Sequence, residues 1–385
     1  MLVRRPDYYD SFQCIAGECP ATCCAGWEIG IDAKTMARYE TMEGAFGNRL
    51  HNSINKARSS FCQYENQCIF LNDEKLCDIY LEAGEDWLCR TCKTYPRHME
   101  VYHGEKDCSL AISCPEVARI ILSNPDKVYW KLKKVADHHP IKEEEDFDEE
   151  LYRNLKMARK VTLDLLQNRD IPIRVRMGVS LAMSHDLQRR IYNEDFDSIP
   201  VLLEQYSNPQ QVKRLSEKVL SYRGREAERQ KIIRKMLKTL SHLKTLNPKW
   251  KEKVHQARVV LKHLSVEEYR EQSALYHECH QRMKEEIVLE QLVCYFAMDY
   301  YCTAVYDGEV YAKMKFSMFS VLMIEEMNFV QWLQQGNQLS FEDVICNAYQ
   351  YGREVEHLDE NLEELDRIFS HPKKYCLEEF LIGML

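Results

Sequence analysis

Eleven of the chain's sixteen cysteines lie within its first 114 residues. Several are close together: Cys14 and Cys19, Cys23 and Cys24, Cys89 and Cys92. A segment this dense in thiols is built either to be cross-linked or to hold metal. At 385 residues the chain is long enough for two or three domains and can bury a sizeable core without staples. The amino terminus, Met1-Leu2-Val3-Arg4-Arg5-Pro6-Asp7, turns charged at once and shows no apolar secretory stretch. The expectation is therefore a cytoplasmic protein with reduced thiols. In that compartment clustered cysteines more often bind metal than form disulfides. A disulfide framework or a redox-active pair is the alternative.

In order, the thiols run Cys14-x4-Cys19-x3-Cys23-Cys24, Cys62, Cys68, Cys77, Cys89-x2-Cys92, Cys108 and Cys114. Soft thiolates suit zinc or an iron–sulfur cluster, and both take four of them. The spacing is irregular, and no second C-x-x-C pairs with Cys89 and Cys92. That favours an iron–sulfur cluster, 4Fe-4S foremost, over a zinc knuckle, which stays as the alternative. The C-x-x-x-C-x-x-C signature of radical enzymes is absent, since Gly26 stands where its third cysteine would be.

The rest of the chain reads differently. Residues 1–125 form the Cys-rich metal module, 126–150 a charged linker, and 151–385 an all-α helical domain. The fold class is thus mainly α, with an irregular Cys-rich N-terminal module. Within that module short helices are expected at about 32–58, with Asp32 as N-cap, and from Pro115 onward. Leu151, Leu155, Ala158, Val161 and Leu165 recur at helical spacing. Breaks are expected at Pro172, Pro200, Pro209, Pro248, Gly308 and Pro372. The stretch from Leu292 to Tyr306 is too short for a membrane span and reads as a buried helix. Net charge is -9, which speaks against nucleic acid as the partner. Residues 143–150 carry seven acids, and residues 213–262 carry sixteen Lys or Arg against four Glu. The basic run is either a solvated helical face or a docking surface for an acidic protein.

The string Cys14-Ile15-Ala16-Gly17-Glu18-Cys19-Pro20-Ala21-Thr22-Cys23-Cys24-Ala25-Gly26-Trp27 closely resembles the head of the flagellin lysine-N-methylase family. The likeness continues through Cys68-Ile69-Phe70-Leu71, Cys77-Asp78-Ile79-Tyr80, Cys89-Arg90-Thr91-Cys92-Lys93-Thr94-Tyr95-Pro96-Arg97 and Ser113-Cys114-Pro115. That family's module is related to a broader group of zinc- or iron-chelating CxxCxxCC domains. The resemblance implies an enzyme that moves methyl groups from S-adenosylmethionine to lysines of flagellin, with an iron–sulfur cluster in the module. By match to the motifs it implies Cys19, Cys23, Cys68, Cys77, Cys89 and Cys92 as metal ligands, with Cys14, Cys24 and Cys114 in reserve. Cys62 and Cys108 fit the pattern least.

Methylating lysine needs a neutral amine, although the free side chain has a pKa near ~10.4. The site must lower that value or provide a base. Asp299, inside the apolar stretch, is the best buried carboxylate for the task, with Tyr295, Tyr300 and Tyr301 as possible walls of a lysine channel. Helix-end pairing and ordinary core packing are the plainer readings. Trp27 is expected to shield the metal or stack on cofactor, and Arg97 to pair with a carboxylate or with cluster charge. His98, His103, His277 and His280 are further metal donors. No Gly-rich nucleotide loop is present. Two other functions compete: a non-catalytic zinc- or iron-chelating protein, and a cluster-dependent oxidoreductase such as a lysine demethylase. The sequence does not address oligomeric state.

Overall fold

The computed structural model describes residues 1–135, 147–281 and 285–385. Part of the acidic run, Glu143 to Asp146, lies outside the described residues, as does the side chain of His280. Seventeen α-helices dominate what is described. In the first third they are short: α1 Ala33–Glu40, α2 Gly44–Asn52, α3 Asp78–Ala83, α4 Arg90–Thr94 and α5 Pro115–Ser123. The remainder is α6 Glu149–Leu166, α7 Ile173–Tyr192, α8 Ile199–Ser207, α9 Pro209–Leu220, α10 Glu226–Leu240 and α11 Pro248–His263. It continues with α12 Val266–Gln281, α13 Glu285–Tyr300, α14 Val310–Gln334, α15 Phe341–Val355, α16 Asp359–Ser370 and α17 Leu377–Met384. The protein is mainly α, as expected.

Local chemistry sets the helix ends. Asp32 caps α1 by accepting from the Thr35 N–H at 3.0 Å. Asn208 and Asn247 do the same for α9 and α11, each followed by proline at the first helical position. Every expected proline or glycine break falls at or between helix ends. The helical region at 32–58 comes out as two helices and stops at Asn52. Gly47 lets the second fold back on the first, because a Cβ there would sit 2.1 Å from the Met42 carbonyl oxygen.

A four-stranded sheet accompanies the helices, with strand order 97–102, 105–110, 2–6, 130–134. Leu2–Pro6 runs parallel to Glu105–Leu110 and antiparallel to Trp130–Lys134, which lies inside the charged 126–150 stretch. Arg97–Tyr102 and Glu105–Leu110 form a hairpin. The sheet packs on α6. Arg159 donates to Asp107 at 2.6 Å, Lys156 to Glu105 at 2.6 Å, and Tyr102 stacks on Tyr152 with ring centroids 4.8 Å apart.

Two apolar cores result. The larger is built around α14, a helix buried on nearly every side, and it takes in α13, much of the sheet, and α5. The stretch Leu292 to Tyr306 is indeed interior, as α13 and the 3-10 turn Tyr301–Val305. Arg176 and Glu290 form an ion pair inside this core, each side chain about 1% exposed. The smaller core gathers Ile29, Ile31, Tyr39, Leu50, Phe61, Phe70 and Ile79 with Cys68 and Cys89. The thiols are thus wrapped by their own apolar shell. Much of the basic run has internal work. Arg229 pairs with buried Glu326 at 3.1 Å, Arg234 binds the last carbonyls of α11, and Lys235 reaches Glu379. Lys213, Arg214 and Lys218 stay exposed.

Candidate functional site

The thiols come from the loops of the module and from three helix starts. Cys89 and Cys77 are the N-caps of α4 and α3, and Cys114 is the N-cap of α5. The Cys68 N–H donates to the Cys24 carbonyl at 2.7 Å, which joins the first loop to the Gln63–Cys68 hairpin. Burial pushes the Cys68 thiol up to about 12, and charge on Cys77, Cys89 and Cys23 adds to that. Cys92 is raised by its hydrogen bond to Cys89 and by burial, while Cys89 is lowered by the same bond. Cys23 is raised by its hydrogen bond to Cys24 and by burial. Burial brings Cys114 to about 11, with Cys19 and Cys23 contributing, and Cys19 feels Cys23 and Cys14.

Cys19, Cys23, Cys68, Cys77, Cys89 and Cys92 thus form one electrostatically connected group, joined by Cys14, Cys24 and Cys114. Cys62 and Cys108 stand apart. Cys62 lies between the two small hairpins, and Cys108 sits on a sheet strand opposite Met99. No three of the sulfurs lie within 4.8 Å of one another. Tetrahedral zinc, with bonds of about 2.3 Å, needs its sulfurs roughly 3.8 Å apart. As placed, the donors are right in chemistry for a soft metal centre and stand further apart than one zinc ion would hold them. Among the described residues the one compact set of metal-type donors is His277, Glu285 and Glu325. Arg174 already serves there as the cation, bound to Glu325 and 3.6 Å from Glu285.

The seam between the thiol group and the helical domain is made by the end of α15. Gly352 brings that helix against the 112–113 loop, since a Cβ would lie 2.9 Å from both Ile112 Cγ2 and the Ser113 nitrogen. One residue on, Arg353 donates to the carbonyls of Ala21, Thr22 and Ser113, and its guanidinium lies 4.7 Å from the Trp27 ring centroid. Trp27 also packs on His357 and Tyr95, at 4.6 and 5.5 Å between centroids. Ser113 Oγ is shared by His357 Nε2 at 2.7 Å and the Tyr95 hydroxyl at 3.1 Å. The positive charge of Arg353 lowers both Cys19 and Cys23 against the effect of burial.

Beneath this wall lie two carboxylates. Glu356 Oε1 accepts from the hydroxyls of Tyr295 at 3.1 Å and Tyr300 at 2.9 Å. Tyr295 is itself fixed by accepting the Ile112 N–H at 3.2 Å. Burial raises the Glu356 carboxyl to about 7. Asp299, in α13 one turn beyond Tyr295, is likewise raised to about 7, by burial and by the charge of Glu356 and Asp107. His98 and the Ser109 hydroxyl pull it the other way. Two carboxyls that titrate near neutrality, ringed by tyrosines, can take up and release a proton under physiological conditions.

The structure thus brings Asp299 and Tyr295 together and sets Trp27 against the same helix end. Tyr301 faces elsewhere, toward Ser184. Arg97 is exposed and lies over Phe12 at 5.3 Å, with no carboxylate partner and no contact with the thiols among the described interactions. Arg353, Glu356 and His357 were not singled out in the sequence. A signal for Glu356 existed, because it continues the buried stripe Ile345, Ala348, Gly352 at helical spacing.

A thiol-rich module is thus seated on an all-α domain, with two carboxylates and their tyrosines at the joint. Residues 159–383 match the FliB lysine N-methylase C-terminal domain, and the chain belongs to that family. The flagellar biosynthetic protein FliU of Salmonella muenchen is 28% identical over 150 residues, 37% of this chain and 89% of its own length. Lysine-N-methylases of Salmonella typhimurium and Salmonella choleraesuis are each 28% identical over 144 residues, 35% of this chain and 36% of their own. The aligned part therefore spans about a third of those two relatives. No solved structure matches the chain. Among the described residues no helix is long and apolar enough to cross a membrane.

Proposed function

We propose that this chain is a cytoplasmic protein-lysine N-methyltransferase that modifies flagellin and carries a thiolate-bound iron–sulfur cluster. The observation that supports it best is the placing of the buried pocket of Asp299, Tyr295, Tyr300 and Glu356 inside the family-matched region, directly behind the thiol group. The cluster ligands in this reading come from Cys19, Cys23, Cys68, Cys77, Cys89 and Cys92, with Cys14, Cys24 and Cys114 as neighbours able to substitute. Such a centre supplies Lewis-acidic iron and a cross-link between the module's loops.

S-adenosylmethionine, as donor, supplies an electrophilic methyl group. The chain's own residues prepare the acceptor. A lysine ammonium brought against Asp299 loses its water, which lowers its hold on the proton, and a carboxylate titrating near 7 is suited to take that proton. Tyr295 orients the pocket through its bonds to Ile112 and Glu356. Trp27 and Arg353 close its outer side.

Mass spectrometry of flagellin incubated with the holoprotein is the test. Methyl additions on lysine that require S-adenosylmethionine are expected. Unmodified flagellin with metal and donor both present would overturn this reading in favour of a chelating protein. A loss of pre-existing methyl groups that needs an electron acceptor would mark a demethylase instead.

A further inference from the structure

We infer that Glu356 receives the substrate's lysine ammonium, through an Oε2 atom that the fold leaves buried and without a hydrogen-bond partner beside Asp299. The inference deepens the methyltransferase reading and rests on it for the identity of the incoming group.

A buried carboxylate oxygen without a donor is costly and calls for a ligand. The two oxygens of Glu356 are treated unequally. Oε1 is saturated by Tyr295 and Tyr300, which fixes the carboxylate plane, while Oε2 has nothing. The backbone of Gly352 passes close beside it, so that a Cβ there would lie 2.9 Å from Oε2. No basic side chain contributes to the charge balance of Glu356. Arg353, three residues earlier, is turned outward to Trp27 and to three carbonyls. Asp299 adds a second carboxyl, compensated in part by His98 and the Ser109 hydroxyl, while Glu356 itself has no cation facing it.

The class of that group follows from the same geometry. An ammonium is a point charge with three donors, which suits one open oxygen with a second carboxylate near by. A guanidinium needs a paired, fork-like acceptor, and Oε1 is already occupied. Held at Oε2, the lysine Nζ passes its proton to the neighbouring Asp299 carboxylate. The products are a neutral amine with a free lone pair and a neutral carboxyl, with no other reactant involved.

The experiment is titration of the metal-loaded full chain with N-acetyl-lysine amide, followed by ligand-observed NMR and with no methyl donor present. N-acetyl-norleucine amide, of like shape without the charge, is the control. Glu356→Gln should weaken lysine-amide binding at least tenfold and leave the norleucine signal unchanged. Equal binding by the variant and the parent would overturn the inference. Because the variant could fold poorly, the parent protein is also labelled with a carbodiimide and glycine ester. Protection of Glu356 by the lysine amide and not by the norleucine amide is expected, and absence of such protection overturns the proposal. Flagellin methylation by the parent with lysine binding indifferent to Glu356 would sink this inference alone. Glu356-dependent binding with no methylation would sink the enzyme reading alone.

Discussion

Replacing Cys89 by alanine is expected to strip the amino-terminal module of its metal and to melt it ahead of the helical domain. Cys89 is fully buried at the start of α4, is hydrogen-bonded to Cys92, and lies in the small core with Phe70 and Ile79. That core is too small to stand alone, so binding free energy of the metal is folding free energy. Structural metal sites contribute on the order of 10 kcal/mol, and loss of one ligand forfeits a large part. Even about 5 kcal/mol lowers the midpoint of a domain of this size by roughly 20–40 °C. Calorimetry should show a separate early transition, and metal analysis a fall of more than half. Cys62→Ala, outside the connected group, should change metal content little. Unaltered melting and metal in the Cys89 variant would remove that residue from the ligand set.

The second large effect is a stability difference that depends on pH. Burial raises the Asp299 carboxyl to about 7, from an ordinary value near 3.8. A carboxyl raised on folding favours its protonated form in the fold. Its stabilising contribution is therefore whole below pH 4 and is lost as pH rises through 7. At pH 8 the parent must hold a buried charge close to Glu356, with His98 and Ser109 as partial compensation and Asp107 working against it. Tyr8, Tyr295 and Tyr300 face the same space without charge. Asp299→Asn removes the titration. The advantage of the variant should be about 1.7 kcal/mol at pH 5, grow to roughly 4 kcal/mol by pH 7 and level off above it, at about 1.4 kcal/mol per unit between 3.8 and 7. Paired melting curves across that range decide it. A gap that stays constant from pH 5 to 8 would mean that Asp299 does not titrate near neutrality in the fold.

Much of this architecture was legible because the signals are local. Prolines 172, 200, 209, 248 and 372 mark helix ends, since each denies the chain an N–H and clashes with the preceding turn. Asp32 and the stretch from Leu292 to Tyr306 read correctly for the same reason. The sheet was not legible. Its first strand pairs with residues a hundred positions away, and strands such as Glu105–Leu110 mix charged and apolar residues because Asp107 and Glu105 answer cations on α6. At the site, Asp299 was visible as a carboxylate inside an apolar run. Glu356 was not, because Arg353, Glu354 and His357 around it make the helix end look like ordinary surface. The seam depends on Arg353 meeting Trp27 across more than three hundred residues, and nothing in either neighbourhood announces the other.

The central claim is that the amino-terminal thiolates grip an iron–sulfur centre whose presence shapes the module. Purifying the full chain without oxygen and counting iron, zinc and acid-labile sulfide addresses it most directly. The account predicts iron and sulfide in equal amounts, about four of each per chain for a 4Fe-4S centre. A well-folded chain that holds zinc alone, or no metal at all, would contradict it.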